Sequence, residues 1–167
     1  ARGALGAADG SRAMIDALKK ISSPSVANAI ETFNVRPRNQ GNMSSEIRTL
    51  FSELGPLVGY AVTAVIRAEP QPLEGHRAST CGWWDYVLSI PAPRVIVVHD
   101  LDEPRGQGAQ WGEVQANIHR ALGCAGVVTD GGFRDSPEIG KLDIPAYHNR
   151  PSSPTNLTLH QALDLNV

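Results

Sequence analysis

Three runs rich in β-branched residues constrain this chain more than anything else in it. They are "GYAVTAVIRA" (59–68), "RVIVVHD" (94–100) and "AGVVTD" (125–130). Continuous apolar runs of this length read as strands, and the last two as strands buried on both faces. Between the last two lies "WGEVQANIHRALG", a helix pattern that ends at Gly123, and after them "DIPAY", a fourth, short strand. Strands that alternate with helices in this way predict an α/β domain with a parallel sheet.

The rest of the chain is read around that frame. "ARGALGAADG" (1–10) is small and Gly-rich and is expected to be a loose arm, with a single α/β domain over 11–150. A polar, Pro-rich tail over 151–167 reads as the start of a truncated segment. Met14, Leu18 and Ile21 sit at helical spacing. Val26, Ala29, Ile30 and Phe33 do so again after the capping pair Ser23-Pro24, so two amphipathic helices packed on a core are expected. Ile47, Leu50, Phe51 and Leu54 suggest another helix, stopped by Gly55-Pro56. "VRPRNQGN" and "LDEPRGQGAQ" read as loops. "CGWWDYVLSI" reads as a short helix whose Trp83, Trp84 and Tyr86 serve the core or a subunit contact.

Composition excludes several function classes. A length of 167 residues suits one domain, and a net charge of −2 without a basic block argues against nucleic acid or an anionic membrane as partner. No apolar run approaches the roughly 20 residues of a spanning helix. Cys81 and Cys124 form no CxxC and no secretory leader is visible, so reduced thiols and a cytoplasmic location are expected. The chain starts at Ala1, not Met, which suggests a processed or trimmed start.

Ligands of open α/β folds gather beyond the carboxyl ends of strands, and two such ends here are unusual. One precedes a helix at about Gly112, where free N–H groups would face an anion and glycine would allow close approach. It matches neither Gly-rich phosphate motif. The other is "TDGGFRDSPE" (129–138), an apparent strand exit through two glycines. Arg134 can grip a carboxylate with two hydrogen bonds. Asp135 is a hard oxygen ligand suited to Mg²⁺ or Mn²⁺, and Glu138, one helical turn on, could orient a metal-bound water. Alone, this pattern is also that of a surface ion pair beside a helix start. Gly112 and Arg134 lie one helix and one strand apart, which places them at the same edge of adjacent strands, a setting for a small oxo-acid.

With "GYAVTA", "VIVVHD" and "AQWGEVQANIHRALGCAGVVTDGGFRDSPEI", the chain resembles the class II 4-hydroxy-4-methyl-2-oxoglutarate aldolases and their sisters, the regulators of ribonuclease activity A. The resemblance covers about residues 20 to 150 and is most specific from Trp111 to Glu138. It implies a swivelling-type β/β/α domain with a parallel-rich central sheet flanked by helices, assembled as a homotrimer or dimer of trimers with sites between subunits. It implies metal-dependent cleavage of 4-hydroxy-2-oxo acids to pyruvate, with oxaloacetate decarboxylation as a side activity. Carried over by position, Asp135 is the metal ligand, Arg134 binds substrate, and Gly112, Glu113, Val114 and Gln115 supply backbone contacts, with Glu138 at the following acidic position. Two departures stand out. "HDLDEPRGQGAQ" replaces a Gly-rich segment, and the chain stops at Val167 where the family continues with further strands.

The enolate left by C–C cleavage needs a charge partner. Lys19, Lys20 and Lys141 lie away from the proposed pocket, which disfavours a Schiff base and favours a Lewis-acidic metal. A water on the metal or on Asp135 is the expected base, with Asp100 or Asp102 as lesser candidates. His76, His99, His119, His148 and His160 show no zinc spacing, and His99 alone lies near a strand end. The alternative is a non-catalytic protein-binding regulator of ribonuclease activity. Retention of Asp135 favours the enzyme.

Overall fold

The computed structural model describes residues 11–68, 79–151 and 157–158. The expected arm over 1–10 and nearly all of the expected tail lie outside the described residues. Helix α1 covers residues 11–18 and α2 Ser23–Thr32. Next come β1 (Arg48–Thr49), a 3₁₀ turn at Ser52–Leu54, β2 (Tyr60–Ile66) and α3 (Thr80–Ser89). The second half runs β3 (Arg94–Asp100), β4 (Gly108–Trp111), α4 (Glu113–Ala121), β5 (Cys124–Phe133), α5 (Ser136–Gly140), β6 (Ala146–Pro151) and β7 (Leu157–Thr158).

The strands form one seven-stranded sheet with the path β1-β6-β5-β3-β2. All its pairings are parallel except that of β1 with β6. The parallel-rich α/β architecture expected from the sequence is therefore present. Side chains alternate along each strand, so Val62, Ala64 and Ile66 line up with Ile96 and Val98 of β3 and with Val127 of β5 on one face. Trp83 and Val87 of α3, Ala116 of α4 and Ile139 of α5 close over that face as the core. Ser79 caps α3 by accepting the Gly82 N–H at 2.9 Å, which sets where Trp83 enters the core.

Strand β5 is longer than the sequence reading allowed, and this changes the meaning of its glycines. Its first half pairs with β3 and its last two residues, Gly132 and Phe133, pair with β4. Strand β4 takes the end of the segment read as a loop and Trp111, which was read as the start of the helix. Its four residues are all buried, so its polar composition hid its position. The chain does not leave the strand at Thr129–Gly132. A Cβ on Gly132 would lie 2.6 Å from the Gly108 carbonyl oxygen, and one on Gly131 would lie 3.2 Å from Asp100. The glycines let β5 pass close under the β3–β4 connection.

Two helix expectations fail. Residues 47–54 form β1 and a 3₁₀ turn, because Arg48 and Thr49 pair with His148 and Tyr147 and the Leu50 N–H donates to the Ala146 carbonyl at 2.8 Å. A sheet edge captured a segment whose apolar spacing suited a helix. Helices α1 and α2 form, but their stripes are covered only in part: Ile15 of α1 is buried and Leu18, Val26 and Ile30 are half-buried. Met14 is 53% and Phe33 74% exposed, and α2 buries no residue. Trp83 is buried in the core and Trp84 half-buried beside it, in keeping with the core role expected of the aromatics.

Candidate functional site

Strand β4 aligns Trp111 with Phe133 of β5, so the residues that follow them, Gly112 and Arg134, emerge side by side. The Arg134 N–H donates to the Trp111 carbonyl at 3.0 Å and ties the two exits together. Gly112 is the N-cap of α4, with extended backbone at φ −154° that any residue could adopt. Proximity is what demands glycine there. A Cβ would stand 2.6 Å from Asp135 Oδ2 and 2.9 Å from Arg134 Nε. Asp135 Oδ2 accepts the Glu113 N–H at 3.1 Å, with Arg134 Nε 3.6 Å away. Asp135 has left-handed backbone at φ 59°, which turns β5 directly into α5.

The structure thus brings together Gly112, Glu113, Arg134 and Asp135, as the sequence spacing suggested. Val114 and Gln115 follow in the first turn of α4, Val114 exposed and Gln115 half-buried. Glu138 lies one turn into α5, joined to Asp135 by its N–H to the Asp135 carbonyl at 3.1 Å. Arg134 and Asp135 side chains are 42% and 41% exposed, open to a ligand.

Among the described residues no group of three His, Cys, Asp or Glu is arranged to hold a metal. The site offers one half-exposed carboxylate, whose Oδ1 carries no hydrogen bond among the described residues, and Glu138 on the next turn. That donor set fits a hard cation that keeps most of its waters, such as Mg²⁺, and does not fit zinc.

The lesser base candidates do not stand up. Asp100 and Asp102 are each 1% exposed. Both oxygens of Asp102 lie 3.0 Å from the Ala68 N–H, and Asp100 accepts the N–H groups of Asp102 at 3.0 Å and Gly106 at 2.7 Å. They clip the connection between β3 and β4 to the end of β2. Burial pushes the Asp100 carboxyl above its usual range, against the pull of its two backbone donors. His99 lies at the end of β3, with Nδ1 2.7 Å from Asp130 Oδ2.

A buried support under the site was not singled out from sequence. The Trp83 indole N–H donates to His119 Nε2 at 2.8 Å, and His119 Nδ1 lies 2.7 Å from the Gln115 carbonyl. Because Nε2 must accept, the proton is on Nδ1, and the ring is neutral. Trp111 packs against the same ring, tilted by 39° with centroids 4.7 Å apart. His119 bonds the backbone carbonyl one helical turn before it, which any residue offers, so no side-chain pattern marked the contact. Burial holds the His119 pKa below its ordinary value, with the bond to Gln115 acting weakly the other way. The unfolded chain binds this proton below pH ~6.5 and the native state resists it. Stability is therefore full above that pH and falls as pH drops toward the native pKa, by up to about 1.4 kcal/mol per pH unit. In melting curves from pH 7.5 to 5, His119→Gln, which keeps an acceptor and loses the titration, is expected to show a shallower decline. An unchanged slope refutes this.

A parallel-rich sheet flanked by helices, with the start of α4 and the Arg134–Asp135 pair side by side at one strand edge, defines a mixed α/β protein. More particularly, the profile of the RraA-like family (Aldolase/RraA) matches residues 16–166, and the chain belongs to that family. Solved structures with the same fold include one described as a novel cellulase from gut-associated microbes (TM-score 0.69, 15% identity, covering 93% of this chain and 64% of that one). Another is an uncharacterized protein from Pseudomonas syringae pv. tomato (TM-score 0.60, 16% identity, 93% and 63%). A third is Streptomyces coelicolor RraAS2, described as an unusual member of the RNase ES inhibitor RraA family (TM-score 0.58, 20% identity, 90% and 70%). The chain spans less than two thirds of the length of the first two. No curated protein sequence matches it significantly. No described helix is long and apolar enough to cross a membrane.

Proposed function

We propose that this chain is a divalent-metal-dependent lyase that cleaves 4-hydroxy-2-oxo acids of the 4-hydroxy-4-methyl-2-oxoglutarate type to pyruvate, with oxaloacetate decarboxylation as a side activity. The observation that carries the reading is the convergence of Arg134 and Asp135 on Gly112 at the start of α4. Arg134 holds the substrate carboxylate through its guanidinium fork. The first-turn N–H groups of α4 face the substrate's remaining oxygens, in the partial positive field of the helix start. Asp135 would hold Mg²⁺ or Mn²⁺, with Glu138 on the next turn supplying a second carboxylate beside it. When bound, the ion supplies Lewis-acid stabilisation of the developing negative charge. Gly112 keeps this space free of side chain. The test is pyruvate release from 4-hydroxy-4-methyl-2-oxoglutarate and from oxaloacetate, with Mg²⁺ and with chelator. Release from both that stops with chelator is expected, and none in either condition rejects the lyase.

The assembly belongs to the same proposal. The exposed apolar residues on and just after α1 and α2, Met14 at 53%, Phe33 at 74% and Val35 at 71%, are apolar surface suited to a homotrimer or a dimer of trimers. Light scattering at micromolar concentration is expected to show a multiple of three chains, and a monomer contradicts it.

The second reading is a protein-binding regulator of ribonuclease activity. It is favoured by the turn satisfying itself, since Asp135 Oδ2 already faces the Glu113 N–H and Arg134 Nε. On that reading there is no turnover, and the exposed apolar surface of α2 meets a protein.

A further inference from the structure

An open cleft of about 410 Å³ lies where the end of α1 and the start of α2 meet β1, the 3₁₀ turn and β6. Its polar lining is Lys19, Lys20, Ser22, Thr49, Ser52 and Tyr147, and among the described residues no carboxylate lines it. We infer that this cleft is a second ligand site, which takes a small molecule bearing a phosphate group.

Charge and donor chemistry select that class. Two lysines and four hydroxyl-bearing residues line the same space. Lys19 is shared with Asp16 at 3.8 Å, but both side chains are about half exposed, 44% and 58%, and such pairs hold weakly. Lys20 has no ion pair among the described residues. Ser22 Oγ is fixed by Ser25, as the cap of α2. The hydroxyls of Thr49, Ser52 and Tyr147 make no hydrogen bond among the described residues and are free to donate. A phosphate carries up to two charges and oxygens that take donors from several directions. Lysines bind it as point charges. A carboxylate is better matched by the planar fork of arginine, and the lining has none among the described residues. The volume falls in the range of about 300–1,000 Å³ found for small-molecule sites.

The cleft is separate from the candidate active site. Tyr147 lies opposite Val128 of β5, and Arg134 is six residues further along that chain. At ~3.3 Å per residue the two places are roughly 20 Å apart. The inference holds whether or not the chain is a lyase.

The test is calorimetric titration of sodium pyrophosphate into the whole chain, in chelator at constant ionic strength. Wild type, Lys19→Gln/Lys20→Gln and Arg134→Gln are compared. Each charge-assisted hydrogen bond to phosphate contributes on the order of tenfold in affinity. The expected result is saturable binding to wild type, weakened at least about tenfold in the double-lysine variant and unchanged in Arg134→Gln. The amide resonances of Thr49 and Ser52 should shift on titration while those of Gly112 and Asp135 stay in place. Wild-type affinity in the double-lysine variant overturns the proposal, as does loss of binding in Arg134→Gln alone or the absence of saturable heat. The lysines are exposed, so a folding defect does not confound the comparison.

Discussion

Asp135→Asn is expected to lower Mg²⁺-dependent pyruvate release by at least about 100-fold, because even the outer partners of metal ligands typically contribute 10–100-fold. The substitution isolates charge from structure. Asparagine is among the residues that best tolerate the left-handed backbone at φ 59°, and its amide oxygen can still accept the Glu113 N–H. What it removes is the negative charge that a hard cation requires. The melting temperature should therefore stay close to that of wild type. Initial rates over a Mg²⁺ titration, with a thermal melt of the same samples, measure both. A variant that keeps the full wild-type response to Mg²⁺ places the metal elsewhere.

Arg134→Lys is expected to cut kcat/KM by about 30-fold. Loss of a charged hydrogen bond in a binding site costs ~2–5 kcal/mol when fully buried. The side chain is 42% exposed in the free protein, so the lower end, about 2 kcal/mol, applies, at ~1.4 kcal/mol for each factor of ten. Lysine keeps the charge and loses the fork. Stability should barely change, since the pair with Asp135 at 3.6 Å is an exposed contact of the kind worth ~0–1 kcal/mol. A strongly lowered melting temperature would instead make the Arg134–Asp135 pair a structural clamp on the turn. Unchanged kinetics would leave the carboxylate grip to another group.

Several parts of this protein were legible one segment at a time. Strands β2, β3 and β5 announce themselves because a chain buried on both faces must be continuously apolar, and only short β-branched runs meet that demand. Helix α4 announces its end at Gly123, whose φ of +77° suits glycine. The nearness of Gly112 to Arg134 was also readable, because parallel strands joined through a helix bring their ends to one edge. Strand β4 was not, since its "GAQW" carries no apolar run and is buried by its neighbours. Neither were β1, a two-residue edge piece held by β6, nor the clips made by Asp100 and Asp102, which look in sequence like available acids. The chain by itself determined the strand-and-helix alternation and the residue types at the site, because period and side-chain chemistry are local properties. Only the tertiary structure decided that the two glycines of β5 carry the strand past a neighbouring carbonyl and do not end it. It also decided that Trp83 and His119 brace α4 from beneath, and that Met14 and Phe33 of the helix stripes stay exposed while Ile15 is buried. Each of these depends on which distant segment arrives alongside, and a linear pattern does not encode that.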